Sequence, residues 1–269
     1  MPKLTSESIK ERAKQHGADI VGIAAADRFN NEPEGHRPTA LLPGAKSVIS
    51  VGIRQLRAYM EKAPNTMFFM YGYRQKNDYI NEISSDIAQL LDADGYAALP
   101  MPPWGAAELT VEPGHGEQKS RTHMHGVFSH SQAAAQAGLG EIGLNGLFLS
   151  TQYGPRIYLG SVITTAPLVA NPLYEGELCD RTGCRECIKQ CPARAIARDG
   201  TLDAVTCVIA LDKLSTNYDE TVKQILDKQA KEDSLRRAAS AVGYSDFSGI
   251  GFCGLGCINA CPVGKKELR

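Results

Sequence analysis

All eight cysteines of this chain lie in its last third: Cys179, Cys184, Cys187, Cys191, Cys207, Cys253, Cys257 and Cys261. One pattern occurs twice among them, Cys187-Ile188-Lys189-Gln190-Cys191-Pro192 and Cys257-Ile258-Asn259-Ala260-Cys261-Pro262, 70 residues apart. A cysteine run closed by proline is the ligand pattern of bacterial ferredoxins. There, closely spaced thiolates take three corners of an iron-sulfur cubane, and the fourth cysteine serves the other cluster. Under that crossing rule Cys179, Cys184, Cys187 and Cys261 surround one 4Fe-4S cluster. Cys191, Cys253 and Cys257 are one ligand short of a second, and Cys207 completes it. No cysteine is left over, and the crossing locks both motifs into one small domain. The prolines after Cys191 and Cys261 suit the first position of a helix, so each of these cysteines is expected to open one.

The first spacing departs from the bacterial run. Four residues, Asp180 to Gly183, separate Cys179 from Cys184, where the bacterial motif has two. C-x4-C-x2-C is also the plant-type two-iron spacing, but that reading leaves the second Cys-Pro motif without a role. A disulfide framework is disfavoured in a chain of 269 residues with no mark of secretion. Structural zinc fits C-x2-C and C-x3-C pairs yet does not account for the paired Cys-Pro.

With 43% hydrophobic residues the chain buries a substantial core, as one large domain or two smaller ones. Met1-Pro2-Lys3-Leu4 leads into Ser6-Glu7-Ser8-Ile9-Lys10 with no apolar export segment or twin arginine. No run approaches a membrane span. The expected compartment is a reducing cytoplasm. The formal charge is −1; eight thiolates and two cubane cores of roughly +2 each bring it to about −5. Nothing in that balance calls for a nucleic-acid partner.

The first two-thirds read as an α/β layer structure. Ser6 to His16 is a helix ended by Gly17, and Ala18 to Ala24 and Ser47 to Ile53 are buried strands. Ile80, Ile83, Ile87, Leu90 and Leu91 share one face of a helix starting near Lys76 and stopping before Gly95. Tyr96 to Leu99 and Arg156 to Thr165 are strands, and Ser131 to Ala137 is an alanine-rich helix. Pro100 to Gly116 is a long loop of the kind that lines a site. Gly138-Leu139-Gly140-Glu141-Ile142-Gly143 matches G-x-G-x-x-G, but a helix precedes it and no acidic residue follows between Glu141 and Glu175. A dinucleotide fingerprint needs the opposite context. These glycines are expected to let backbone approach some other bulky ligand.

The run Ala137 to Leu147, then Tyr153-Gly154-Pro155-Arg156 and Leu159 to Thr165, leads into the cysteine module. This order resembles the family of epoxyqueuosine reductases and corrinoid reductive dehalogenases, most densely from Ala137 onward. The resemblance implies a nitroreductase-like α/β domain, residues 1–172, cradling cobalamin base-off, followed by a ferredoxin-like domain, residues 173–269, whose two 4Fe-4S clusters feed the cobalt. It implies corrinoid contacts from His130, Gly138, Gly140, Asn145, Gly146 and Arg156. A low-potential donor such as ferredoxin or flavodoxin would supply electrons, and a small substrate would sit over the cobalt face.

Two departures stand out. The epoxyqueuosine branch carries a catalytic aspartate upstream of its glycine run, where this chain has Thr122-His123-Met124-His125-Gly126. The tRNA-binding helical extension is not apparent. His125 is a candidate general acid in place of the aspartate. His123, His125 and His130 fit equally as loop histidines with backbone partners, or as ligands of cobalt or a further metal. Arg156 has the donor fork for a substrate anion or a corrinoid amide, or is a surface arginine at a strand start. The dehalogenase branch takes its proton from a tyrosine before the amphipathic helix, which makes Tyr73, or Tyr71, a candidate beside the reading of an aromatic pocket wall. Trp104 is a candidate cap, and Lys223 to Arg237 reads as a solvated helix face. The leading expectation is a corrinoid and iron-sulfur reductase. The alternatives are an iron-sulfur electron-transfer protein or activator, and a zinc-stabilised interaction module.

Overall fold

The computed structural model describes residues 4–62, 66–102, 107–112, 121–191, 193–203, 206–207 and 256–265. Trp104, Pro192, Cys253 and the charged stretch 223–237 lie outside the described residues. In chain order the elements are α1 (Ser6–Gln15), β1 (Ile20–Ala25), α2 (Pro38–Leu41), β2 (Ser47–Arg54), α3 (Arg57–Lys62), α4 (Thr66–Ala93), β3 (Ala98–Met101), β4 (Ala107–Glu112), β5 (Arg121–Gly126), α5 (His130–Gln136), β6 (Gly140–Ile142), β7 (Phe148–Ser150), β8 (Ile157–Thr164), α6 (Glu186–Lys189) and α7 (Gly256–Ala260).

A capping box starts α1: the Thr5 hydroxyl accepts from Ser8 N at 3.1 Å while the Ser8 hydroxyl accepts from Thr5 N at 2.9 Å. The chain then enters a four-stranded sheet in the order β1-β2-β8-β3, with every neighbouring pair antiparallel. Val21 faces Val51, Ser50 faces Ser161, and Leu99 faces Ile163. Successive side chains of a strand point to opposite faces, and here both faces are covered. Val21, Ile23, Ile49, Val51, Ile53 and Val162 pack with Ile9 and Ala13 of α1 and with Ile80, Ile83, Ile87 and Leu91 of α4. Ala24, Val48 and Ile163 pack on the other side with Ala133, Ala137 and Phe128. Two-sided burial is why β1 and β2 read as near-continuous apolar runs.

The helical face of Ile80, Ile83, Ile87 and Leu91 is buried as its spacing requires, but α4 begins at Thr66, ten residues before Lys76. Pro100 to Gly116 is not simply a loop. It contains the end of β3 and all of β4, which pairs with β5 through Leu109 and Met124. The α/β expectation holds as a mixed fold on an antiparallel sheet.

Residues 166–179, which lead from the sheet to the cysteines, are fastened along their length. The Ser47 hydroxyl donates to Ala166 O (2.8 Å) and accepts from Leu168 N (3.0 Å). Val169 N donates to the Ser6 hydroxyl at 2.7 Å. Asn171 then continues the sheet edge: its N–H donates to Ile23 O at 2.8 Å, and its side-chain oxygen accepts from Ile23 N at 3.1 Å. Arg28 holds Asn171 O at 2.9 Å and Gln136 O at 2.6 Å.

Candidate functional site

The β6-β7 hairpin is the platform on which the first cysteine loop rests. Glu141, on β6, accepts with one carboxylate oxygen from Leu178 N (3.0 Å) and Cys179 N (2.7 Å). Leu144 N, in the hairpin turn, donates to Cys179 Sγ at 3.3 Å, and the Arg181 guanidinium donates to Ile142 O. The two residues added to the first cysteine gap have a local function. Asp180 folds the gap into an Asx turn, its carboxylate accepting from Gly183 N at 2.7 Å and Thr182 N at 3.2 Å, and Cys184 N closes on Asp180 O at 3.1 Å. The Gly183 N–H holds the Asp180 carboxyl below its ordinary range, desolvation opposes it, and Thr182 and Cys184 add to the lowering.

Cys187 sits on α6, and Cys191 follows that helix. Cys257 sits on α7, which packs against α6, and Cys261 follows it. Each Cys-Pro therefore comes after a short helix instead of opening one, contrary to the sequence expectation. Proline a residue or two beyond a helix end cannot continue the ladder and stops it. The Cys191 sulfur accepts from Ala195 N at 3.3 Å.

Cys179, Cys184, Cys187 and Cys261 line one cavity of about 80 Å³, together with Asp180, Leu144, Asn145, Leu149, Leu178, Pro262 and Val263. Among the described residues, no three His, Cys, Asp or Glu side chains converge as ligands of a single ion. A tetrahedral zinc site with bonds of about 2.3 Å requires such convergence. Four sulfurs spread around a cavity fit a group with breadth of its own. Burial pushes the Cys187 thiol up from its ordinary value, the Ile188 N–H opposes it, and charge on Cys179, Cys184 and Cys261 adds to the rise. The Cys261 thiol is likewise raised by burial, against help from the Val263 N–H and Arg156. Cys191, Cys207 and Cys257 are partly buried, and Cys253 lies outside the described residues.

Arg156 is only 2% exposed, and three of its five N–H donors are held by backbone carbonyls. Nη1 donates to Val263 O at 2.7 Å, and Nη2 donates to Ile258 O at 3.0 Å and Cys261 O at 2.5 Å. It is not a surface arginine at a strand start. It clamps the second cysteine motif to the start of β8. Burial pulls this guanidinium below its ordinary value, and the charge on Cys261 pushes it back up.

His130 is also occupied. Its Nδ1 lies 2.9 Å from the Ser161 hydroxyl and its Nε2 lies 2.8 Å from Pro102 O. A carbonyl only accepts, so Nε2 carries the proton and Nδ1 takes the serine proton. Among the three readings, this is the histidine with a backbone partner, tying α5 to β8 and the end of β3. Burial lowers its pKa, with the Pro102 bond opposing. The unfolded chain then binds the proton first, so stability falls as pH drops below about 6.5. We expect the urea midpoint to fall between about pH 7 and pH 5.5, and the His130→Asn protein to show a shallower fall.

Two glycines of the run lie hard against the chain's own backbone. A Cβ on Gly138 (φ +72°) would lie 1.9 Å from Pro172 O, and one on Gly140 1.9 Å from Leu149 O. Gly146 turns at φ +72° beside Leu202. Asn145 is buried, accepts from Leu147 N at 3.2 Å and faces the cysteine cavity. Of the remaining predicted site residues, Tyr71 and Tyr73 fall within α4, and His123 and His125 within β5, with their side chains outside the described ones. Sequence reasoning passed over Glu141 as a site residue. The signal for it was a lone acid inside a glycine run close before the first cysteine.

This fold, a two-sided antiparallel sheet leading through a strap into a cysteine centre, is shared over nearly the whole chain with two groups of reductases. One solved epoxyqueuosine reductase superposes on 97% of this chain and 66% of its own, with a TM-score of 0.61 at 20% identity. A catabolic reductive dehalogenase superposes on 98% of this chain and 33% of its own, with a TM-score of 0.56 at 19% identity. The curated relatives carry the first of these names. The epoxyqueuosine reductase of Gloeobacter violaceus is 27% identical over 232 residues, 76% of this chain and 65% of that protein. That of Bacillus cereus is 28% identical over 228 residues, 74% of this chain and 54% of that protein. This chain therefore spans between half and two-thirds of these relatives, which are oxidoreductases. Another solved relative is an epoxyqueuosine reductase with an epoxyqueuosine-modified tRNA stem loop, with a TM-score of 0.55 at 18% identity. No protein-family model matches the chain. Among the described residues, no helix is long and apolar enough to cross a membrane.

Proposed function

We propose that this chain is an iron-sulfur reductase of the epoxyqueuosine reductase and reductive dehalogenase kind, in which two 4Fe-4S clusters deliver electrons to a corrinoid that reduces a small substrate. The supporting observation is the cavity shared by Cys179, Cys184, Cys187 and Cys261, the four residues that the crossing rule groups together. These residues fit a cluster. Their sulfurs surround a void without converging on one point, Leu144 N donates to one of them, and Leu144, Leu149 and Val263 keep water off the rest. In the same reading Cys191, Cys207, Cys253 and Cys257 hold the second cluster. A 4Fe-4S centre supplies single electrons at low potential. The chain supplies the thiolates and their spacing, amide donors to the sulfurs, and a fixed mounting on the sheet.

The corrinoid part of the proposal has a different basis. Residues that the resemblance assigns to it also make contacts within the chain: His130 bonds Ser161 and Pro102, Gly138 and Gly140 lie against Pro172 and Leu149, Arg156 bonds Cys261 O, and Asn145 faces the cysteine cavity. What supports a corrinoid is likeness to a reductive dehalogenase studied for B12-dependent dehalogenation, with a TM-score of 0.55. Tyr73 and His125 remain the proposed proton donors. The division into residues 1–172 and 173–269, a ferredoxin or flavodoxin donor and a cytoplasmic setting belong to the same proposal. The relative with a bound tRNA stem loop favours a second reading, in which the reduced group is carried on RNA.

Anaerobic reconstitution tests this directly. The expected protein carries about eight irons and eight sulfides per chain and turns added cobalamin into a base-off Co(II) species visible by EPR. A colourless protein without iron removes the reading. Full iron with no cobalamin affinity leaves the alternative of a pure electron-transfer protein.

A further inference from the structure

Arg156 is a buried cation with no ion-pair partner among the described residues. Among the described residues, the ion pairs use Arg12, Arg54, Lys10, Lys189 and His16, and none involves Arg156. Carbonyls take three of its N–H groups but carry no net charge. A buried guanidinium without a counter-charge is costly, and a negative charge nearby relieves that cost. What lies nearby is the Cys261 end of the cysteine cavity. Nη2 donates to Cys261 O at 2.5 Å, and Nη1 donates to Val263 O at 2.7 Å. Cys261 and Val263 both line the cavity.

The surrounding backbone supports the same placement. Gly154, two residues before Arg156, would put a Cβ 2.1 Å from Val263 O, and Gly264 would put one 2.2 Å from the carbonyl carbon of Tyr153. The two segments touch backbone to backbone, which fixes Arg156 beside the second cysteine motif.

We infer that Arg156 is the counter-cation of the cluster held by Cys179, Cys184, Cys187 and Cys261, a positioning residue that raises that cluster's reduction potential relative to its partner's. This rests on the cluster reading above. A cubane with four thiolates carries about −2 when oxidised and −3 after gaining one electron. No bond forms or breaks in that step, and a fixed positive charge favours the more negative state. The potential of such a cluster responds to net charge and to hydrogen bonding around its sulfurs. The consequence is a built-in order, with electrons settling first on the cluster next to the α/β sheet.

The test uses the whole chain, reconstituted anaerobically and titrated with Ti(III) citrate while EPR follows each cluster. Iron is counted first. Wild-type protein without iron fails the cluster reading itself, before Arg156 enters. With about eight irons present, Arg156→Gln is expected to make reduction of one cluster at least tenfold less favourable, about 59 mV lower for one electron, and to leave the other unchanged. Arg156→Lys, which keeps the charge, is expected to stay close to wild type. If Arg156→Gln loses that cluster while Arg156→Lys keeps it at the wild-type potential, the charge requirement stands. Full iron and an unchanged midpoint in Arg156→Gln overturns the inference. Loss of the cluster in both variants also overturns it, since Arg156 is then only a brace.

Discussion

Replacing Cys184 and Cys261 together with alanine is expected to leave about four irons per chain, where wild-type protein holds about eight. Under the crossing rule both residues serve the same cluster, so losing two ligands removes that cluster and spares the one on Cys191, Cys207, Cys253 and Cys257. An uncrossed arrangement, with each Cys-x-x-x-Cys run serving its own cluster, puts Cys184 and Cys261 on different clusters. The double variant would then hold no intact cluster. The geometry favours the first outcome, since Cys184 and Cys261 wall the same cavity. Iron and acid-labile sulfide analysis on the anaerobically reconstituted protein separates the two, and an iron content near zero in a folded variant sinks the crossing.

The second large effect is on stability. Gly138→Ala is expected to destabilise the folded chain by about 3 kcal/mol or more, because two costs coincide. The backbone is left-handed at φ +72°, about 1–2 kcal/mol for a residue with a Cβ. That Cβ would also meet Pro172 O at 1.9 Å, and overpacking against backbone adds roughly 1–3 kcal/mol. The melting temperature should fall by roughly 10 °C for a chain of this size. Gly95→Ala is the control: φ is +87° but nothing lies within 4 Å of the added Cβ, so only the conformational cost of about 1–2 kcal/mol applies. Equal melting temperatures for the two variants would mean that Gly138 does not hold the strap.

How far the sequence could be read depended on the range of the interaction. The spacing of Ile80, Ile83, Ile87 and Leu91 is a local signal, and those four side chains are buried together. The apolar runs of β1 and β2 are legible for the same reason. The hairpin of β4 and β5 was hidden although Ala107, Leu109 and Val111 alternate with Glu108, Thr110 and Glu112, because flanking prolines and glycines punctuate the segment as a loop. The partners of Arg156 and His130 were not legible because they are remote. Arg156 bonds residues more than 100 positions away, and His130 bonds Ser161 and Pro102. Nothing near either residue in the chain announces those contacts. The glycine run was recognised as a place of close approach, but sequence does not say whether the approaching group is a ligand or Pro172.

Connections between structural halves ordinarily leave them free to reorient, and residues 166–179, with Val169 and Leu173 turned to solvent, have the composition of such a connection. The bonds from Ser47, Ser6, Ile23, Arg28 and Glu141 remove that freedom at both ends. For a chain that moves electrons as proposed, no docking or swinging event separates the cysteine centre from the sheet. The hop between them then has one length and is insensitive to solvent viscosity, and throughput is governed by how often an outside donor arrives.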